Sequence, residues 1–271
     1  MGPYQKLFIY EVPDEISLNS DIFGRDFIGC WNEGGSSFLF FSRQHDGQVR
    51  KWLAHKCKEK LLSRHVMDYR DWQAGEDLKP FGIEKLVICP PWEETEIAKD
   101  EILILLDPGV VFGAGFHPTT RGCLTALWGI YQMDYPEKVL DIGTGTGILA
   151  ISSAKLGAQE VLAIDHNQLA VETARRNVLL NAVEDRVKVV HGEAETMGEE
   201  EADVILANLH FQAIESLLRK NPFSARWAVL SGLFHGQVSA VLSSLEKRQV
   251  EVHDRIEENR WVTLVLRKTP R

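Results

Sequence analysis

Between residues 138 and 266 the sequence alternates short β-branched runs with helical periodicity, and the first run ends in a glycine at every second position. Val139-Leu140-Asp141-Ile142 reads as a buried strand, Gly143-Thr144-Gly145-Thr146-Gly147 as a tight turn, and residues 148–156 as a helix. Further strands are predicted at 161–164, 187–190, 204–207 and 227–230, with helices at 169–180, 213–218 and 238–247. Alternation of this kind predicts a parallel sheet built by right-handed crossovers. The last two strand candidates, 250–256 and 261–266, are separated only by Glu257-Glu258-Asn259-Arg260 and predict an antiparallel hairpin at the sheet edge. The expected class is α/β, a Rossmann-like sheet that departs from the dinucleotide-dehydrogenase pattern in its closing hairpin.

The first hundred residues have another texture. Strands are predicted at 6–12, 86–89 and 102–106, and an apolar run at 38–41 follows the turn-forming Glu33-Gly34-Gly35-Ser36. Residues 48–62 place Val49, Trp52, Leu53, Cys57 and Leu61 near one face, which predicts an amphipathic helix. Proline and charge cluster at 90–99, so the chain is expected to divide into a small N-terminal α+β domain with its linker, residues 1–95, and a larger domain, residues 96–271.

Several function classes are disfavoured. The net charge is −9 with no dense basic run beyond residues 50–60, which argues against direct nucleic-acid binding. Cys30, Cys57, Cys89 and Cys123 are scattered without a C-x-x-C pair, so no metal site or redox pair is expected, and a reducing compartment is. No apolar signal segment and no run of membrane-spanning length is present, and Met1-Gly2 is followed by Pro3 and Lys6, against lipidation. A cytoplasmic, monomeric protein is expected.

The glycine turn carries the chemistry. Missing side chains at Gly143, Gly145 and Gly147 let the backbone turn and approach a ligand closely. A dinucleotide fingerprint needs G-x-G-x-x-G, but the sixth position is Ile148. The shorter pattern suits the methionine part of S-adenosylmethionine, with Asp141 placed to accept from its amino group. The next strand ends at Asp165, where a carboxylate can hold both ribose hydroxyls or else cap the following helix. Glu193 or the Ala194 backbone is a candidate for the adenine edge. Asn208 ends the fourth strand facing the crevice where such sheets bind ligands, and is the candidate for orienting a target amine or touching the cofactor. Upstream, Gly113 and Gly115 predict a flexible loop running into a helix near Thr119, where Thr119, Thr120 and free amides offer a carboxylate site as well as a cap.

With these residues the chain resembles the class I methyltransferases that modify protein eleven of the large ribosomal subunit. Their P-G-x-x-F-G-x-G-x-H-x-T-T signature is matched from Pro108 to Thr120. The match runs on through Asp141 to Gly147, Asp165 and Asn208, and extends to Trp72, Leu78-Lys79-Pro80-Phe81, Pro91-Trp92, Ser231-Gly232-Leu233 and Trp261-Val262. The resemblance implies transfer of methyl groups from S-adenosylmethionine to lysine and N-terminal amines of that ribosomal protein, which a separate N-terminal domain recognises. It implies cofactor contacts at Thr120, Gly143, Asp165 and Asn208; Thr119, Asp141 and Gly145 join them on the reading of the turn and the helix start. The sequence departs from the family at Ala114, Phe116 and His210-Phe211.

Methyl transfer is an in-line displacement, so alignment and a water-poor site are the protein's main contributions. Asn208 is nominated for orientation. No base is assigned, although His117 and His210 lie near. Two other readings compete: a methyltransferase for another protein or a small molecule, and a catalytically silent cofactor-binding module.

Overall fold

The computed structural model describes residues 3–16, 18, 22–56, 61–73, 75, 77–193, 202–220, 225–246 and 248–269. The chain forms two compact units, Met1–Leu78 with Asn167–Leu169, and Lys79–His166 with Ala170–Arg271.

The first unit is a four-stranded antiparallel sheet, built from β1 (Lys6–Pro13), β2 (Phe27–Glu33), β3 (Ser36–Phe41) and β4 (Ser63–Asp68) in the order β2-β3-β1-β4. Glu33 pairs with Ser36 across Gly34 and Gly35, at φ 62° and 79°. Two consecutive left-handed residues make the tight hairpin whose twist matches its strands. Helix α1 (Asp46–Lys56) sets Val49 and Leu53 against Tyr10, Val12, Leu39 and Phe41. The periodicity extends to Leu62, but Leu61 and Leu62 are not helical. Residues 57–60 lie outside the described ones, and beyond them the Leu62 amide donates to the Glu11 carbonyl at 2.9 Å, drawing the chain into β4. The one-turn helix α2 (Tyr69–Trp72) follows directly.

In the second unit, β5 (Phe81–Ile83), β6 (Leu86–Cys89) and β7 (Ile102–Leu105) form a small sheet. Ile83, Leu86, Ile88 and Ile104 enter the same core as Leu124 and Leu127 of α3 (Pro118–Met133). This shared core is why residues 79–95 fall with the larger unit, and the division lies at Leu78 instead of 90–99.

The main sheet follows the expected alternation: β8 (Lys138–Ile142), α4 (Ile148–Leu156), β9 (Glu160–Asp165), α5 (Gln168–Leu180), β10 (Val187–His191), β11 (Val204–Asn208), α6 (Phe211–Lys220), β12 (Trp227–Phe234), α7 (His235–Leu245), β13 (Val250–Glu258) and β14 (Trp261–Lys268). Its order is β10-β9-β8-β11-β12-β14-β13. The first five strands are parallel, β14 runs antiparallel to β12, and β13 is the edge. Side chains alternate between faces as strand geometry requires. Val139, Val204 and Leu206 meet α3, α4 and α5, while Leu140, Ile205 and Ala207 meet α6 and α7. Covered on both faces, these strands read as the near-continuous apolar runs seen in the sequence. Among the described residues no helix is long and apolar enough to cross a membrane.

Candidate functional site

The sheet reverses direction of growth at β8, which has β9 on one side and β11 on the other. Ligands of such sheets bind in the crevice beyond the carboxyl ends of the strands at this point. Asp141, Asp165 and Asn208 all lie at those ends.

The turn from β8 to α4 is left-handed at Gly143, Gly145 and Gly147, with φ of 71°, 56° and 85°. The Gly143 and Thr144 amides both donate to the Ile164 carbonyl at 2.9 Å, which ties the turn to the end of β9. At Gly145 a Cβ would stand 2.6 Å from the Phe112 carbonyl oxygen, a backbone atom that cannot swing away. The Gly145 amide donates to Asp165 Oδ2 at 2.9 Å. The other carboxylate oxygen, Oδ1, lies 3.6 Å from His166 Nδ1.

Asp141 is buried beneath this turn. Its Oδ2 accepts from the Thr144 hydroxyl at 2.6 Å, whereas Oδ1 is buried with no hydrogen-bond partner. Burial pushes the carboxyl up to about 7, and the nearby Asp165 charge adds to the rise. The Thr144 hydroxyl and the Ala150 amide pull the other way, the latter without completing a hydrogen bond to Oδ1. A buried acceptor left open beside a glycine cradle is what a cationic amine would satisfy. The residues present therefore fit the amino-acid end of S-adenosylmethionine.

The loop 107–117 is pinned, although its glycines predict flexibility. The Thr146 amide donates to the Phe112 carbonyl at 3.2 Å, and the Thr146 hydroxyl to the Gly113 carbonyl at 2.8 Å. From α5, fully buried Asn177 accepts from the Asp107 amide at 3.0 Å and donates to the carbonyls of Asp107 at 3.0 Å and Thr146 at 2.8 Å. One turn on, Asn181 repeats the pattern on the Leu105 amide and carbonyl, at 3.0 and 2.7 Å. Of the residues departing from the family, Phe116 packs against Phe81 with tilted rings, their centroids 4.5 Å apart.

Thr119 and Thr120 open α3 and are both buried. The Thr119 carbonyl accepts from Ser231 Oγ at 3.2 Å, and Asn208 Nδ2 donates to Thr120 Oγ1 at 3.4 Å. The first turn of α3 is thus joined to the ends of β11 and β12. At Gly232, φ 90°, a bulge in β12 brings the Leu209 carbonyl into space that a Cβ would occupy.

Beside Asn208 opens a cavity of about 420 Å³. Phe112, His117, Phe211, Phe234 and Trp261 wall it, and Thr119, Asn208, His210, Gln212 and Gln237 add polar groups to the lining. Rings of His117 and Trp261 meet edge to face at 4.9 Å, and the Arg260 guanidinium sits 5.0 Å from the Phe234 centroid.

The sequence-nominated residues fall into two groups. Asp141, Gly143, Gly145 and Asp165 surround the turn; Thr119, Thr120 and Asn208 line or adjoin the cavity. Near the adenine candidate, the Gly192 amide donates to the Asp165 carbonyl at 3.0 Å, while Ala194 lies outside the described residues. Sequence reasoning did not find Thr144, Thr146, Asn177 or the aromatic wall. The Thr144 and Thr146 signals were present, since a hydroxyl at each alternate turn position is able to hold the turn from within.

Residues 39–269 match the family model described as Ribosomal protein L11 methyltransferase (PrmA). A ribosomal protein L11 methyltransferase of Desulforamulus reducens is 39% identical over 208 residues, 74% of this chain and 67% of that protein. One from Thermotoga neapolitana is 34% identical, covering 78% of each chain. The crystal structure of a ribosomal protein L11 methylase from Lactobacillus delbrueckii subsp. bulgaricus is 28% identical, with a TM-score of 0.62 over 71% of this chain and all of that one. With the sheet order, the glycine turn and these matches together, the chain belongs to the ribosomal protein L11 methyltransferase family, which uses S-adenosylmethionine as its methyl donor.

Proposed function

We propose that this chain transfers methyl groups from S-adenosylmethionine to lysine side-chain and N-terminal amines of protein L11 of the large ribosomal subunit, with the N-terminal unit, residues 1–78, recognising that substrate. The observation that carries the reading is the pairing of a buried, unpartnered Asp141 Oδ1 at the glycine turn with an aromatic cavity that ends at Asn208. On this reading Asp141 faces the cofactor's amino group, Gly143 and Gly145 let its backbone-like portion approach, and Asp165 accepts from its ribose hydroxyls. Thr119 and Thr120 belong to the same surface.

When bound, S-adenosylmethionine supplies an electrophilic methyl carbon on a sulfonium. The rings around the cavity exclude water and suit the aliphatic stem of a lysine. A lysine amine has an ordinary pKa of roughly 10.4 and attacks only when neutral; an apolar wall favours that neutral form. Asn208, an amide without charge, orients the amine without holding it protonated. The net charge of −9 supports a basic protein partner and argues against direct nucleic-acid contact. A cytoplasmic monomer, acting away from membranes, is the matching state.

The test is transfer of labelled methyl groups to ribosomal proteins from cells lacking the activity. Label in L11 at amines supports the proposal. Label in another protein or a small molecule moves the acceptor elsewhere, a reading favoured by His210 and Phe211 at the cavity. Cofactor binding with no label anywhere would make the chain a silent binding module.

A further inference from the structure

His117 stands on the cavity wall in the position where a proton acceptor for the amine is first sought, but its hydrogen bonds give it another task. It is the N-cap of α3, and its Nδ1 accepts from the Thr119 amide at 3.3 Å, with Thr119 Oγ1 at 2.8 Å. A backbone N–H can only donate. With Nδ1 unprotonated, the Thr119 amide and hydroxyl both donate to it and the neutral ring carries its proton on Nε2; with Nδ1 protonated, the hydroxyl would accept and the amide contact would be lost. In the first form the single basic nitrogen is already engaged by the first turn of α3 and is not free to take a proton from an amine. The ring is held there between Phe112 and Trp261, edge to face, at 5.3 and 4.9 Å.

We infer that His117 is a positioning residue, not the proton acceptor: in its neutral, Nε2-protonated form it caps α3 and so holds Thr120 against Asn208 at the cavity, and protonation of Nδ1 releases that hold. The link is short, because Thr119 and Thr120 follow the cap and Thr120 Oγ1 receives Asn208 Nδ2 at 3.4 Å. A proton on Nδ1 would oppose the Thr119 N–H and add a positive charge at the positive end of the helix dipole.

The charged surroundings are mixed. Glu258, at the end of β13, favours a charged ring, but Arg121 of α3 pairs with that carboxylate at 3.3 Å. Arg260, in the hairpin turn, opposes the charge, and His210 lies across the cavity. Phe112 and Trp261 contribute no charge. Burial is the largest influence and holds the imidazole below its ordinary range. The neutral cap is therefore complete above about pH 6.5, the ordinary histidine value, and is lost as pH falls through the lower folded value.

The inference rests on the proposed amine transfer for its consequence but not for its test. In the full chain with ¹⁵N-labelled histidine, the ring of His117 at pH 7.5 should show an unprotonated Nδ1 and a protonated Nε2. His117→Asn supplies another good capping acceptor, so at pH 7.5 it should keep the wild-type thermal midpoint, and it should lose the acid-side fall of the pH profile. His117→Phe keeps the wall but removes the cap, and should lower kcat by about fivefold or more. The thermal midpoint of the wild type should drop between pH 7.5 and 5 by more than that of His117→Asn. A ring protonated on Nδ1 at pH 7.5 would overturn the inference. So would a His117→Asn variant that loses activity by ~100-fold, the size expected for removing a general base. If the wild type methylates no amine at all, the proposed function fails, and the tautomer and the pH-dependent midpoint still decide the cap.

Discussion

Substituting Asp141 by Asn should make the ligand-free protein more stable at pH 8 and, at the same time, a poorer cofactor binder. The carboxyl is 1% exposed and is raised from 3.8 to about 7 by burial. At about 1.4 kcal/mol for each pH unit, keeping it ionised above pH 7 costs the fold about 4 kcal/mol. The sign follows from proton uptake. Between 3.8 and about 7 the folded state binds more protons than the unfolded state, so the stability tied to the neutral acid is complete below 3.8 and lost as pH rises through 7. An asparagine has no charge to bury. Its amide oxygen can still accept from the Thr144 hydroxyl, which now donates to Oδ2 at 2.6 Å. Its NH₂ takes the place of the unpartnered Oδ1, and an unmatched buried donor costs about 1–3 kcal/mol. The net gain at pH 8 is about 1–3 kcal/mol, and at pH 4 the gain vanishes or reverses. Chemical denaturation of ligand-free wild type and variant at the two pH values measures it. Calorimetry supplies the second half. Wild-type affinity for S-adenosylmethionine should rise with pH up to about 7, with proton release detected as a dependence on buffer ionisation enthalpy, while the variant binds ~10- to 100-fold more weakly and without proton release. A variant less stable than wild type at pH 8, or one whose binding still releases a proton near pH 7, would refute the argument.

Other outcomes follow from the same geometry. Asp165→Ala removes the acceptor of the Gly145 amide and, on the proposed function, that of the ribose hydroxyls, so cofactor affinity by calorimetry should fall ~100-fold or more. Asn177→Ala leaves the Asp107 amide and carbonyl and the Thr146 carbonyl without their partner; denaturation should show a loss of about 2–4 kcal/mol. Asn208→Ala should lower kcat at saturating cofactor by ~10-fold or more, and full turnover would show the amide dispensable.

Much of the larger unit was legible because its signals are local. A strand, a turn and a helix from residue 138 to 156 carry their own periodicity, and Asp165 ends the next apolar run. Elements made by distant partners were not. β4, Ser63–Asp68, is an exposed stretch whose apolar residues are few, and it is a strand because the Leu62 amide and the residues after it meet β1. Asn177 and Asn181 look like ordinary polar positions on a helix until the loop 70 and 76 residues earlier lies beside them. The loop's glycines announce backbone freedom, yet they serve close approach: at Gly113 a Cβ would stand 2.7 Å from the Thr146 hydroxyl that bonds its carbonyl.

The two halves of the site depend on a neighbour relation that strand order alone supplies. β11 pairs in parallel with β8, Ala207 opposite Ile142, so the segment after Asn208 emerges against the glycine turn. Leu209 then wedges between Gly143, whose missing Cβ admits its side chain, and Gly232, whose missing Cβ admits its carbonyl. The Leu209 amide is fixed by the Ser231 carbonyl at 3.1 Å. Glycine at 143 is therefore required twice, once by its left-handed φ and once by a side chain arriving from 66 residues later in the chain. A glycine turn that also seats the residue after Asn208 couples the position of that amide to the shape of the turn; on the proposed function, one rigid piece of sheet thereby aligns methyl donor and acceptor.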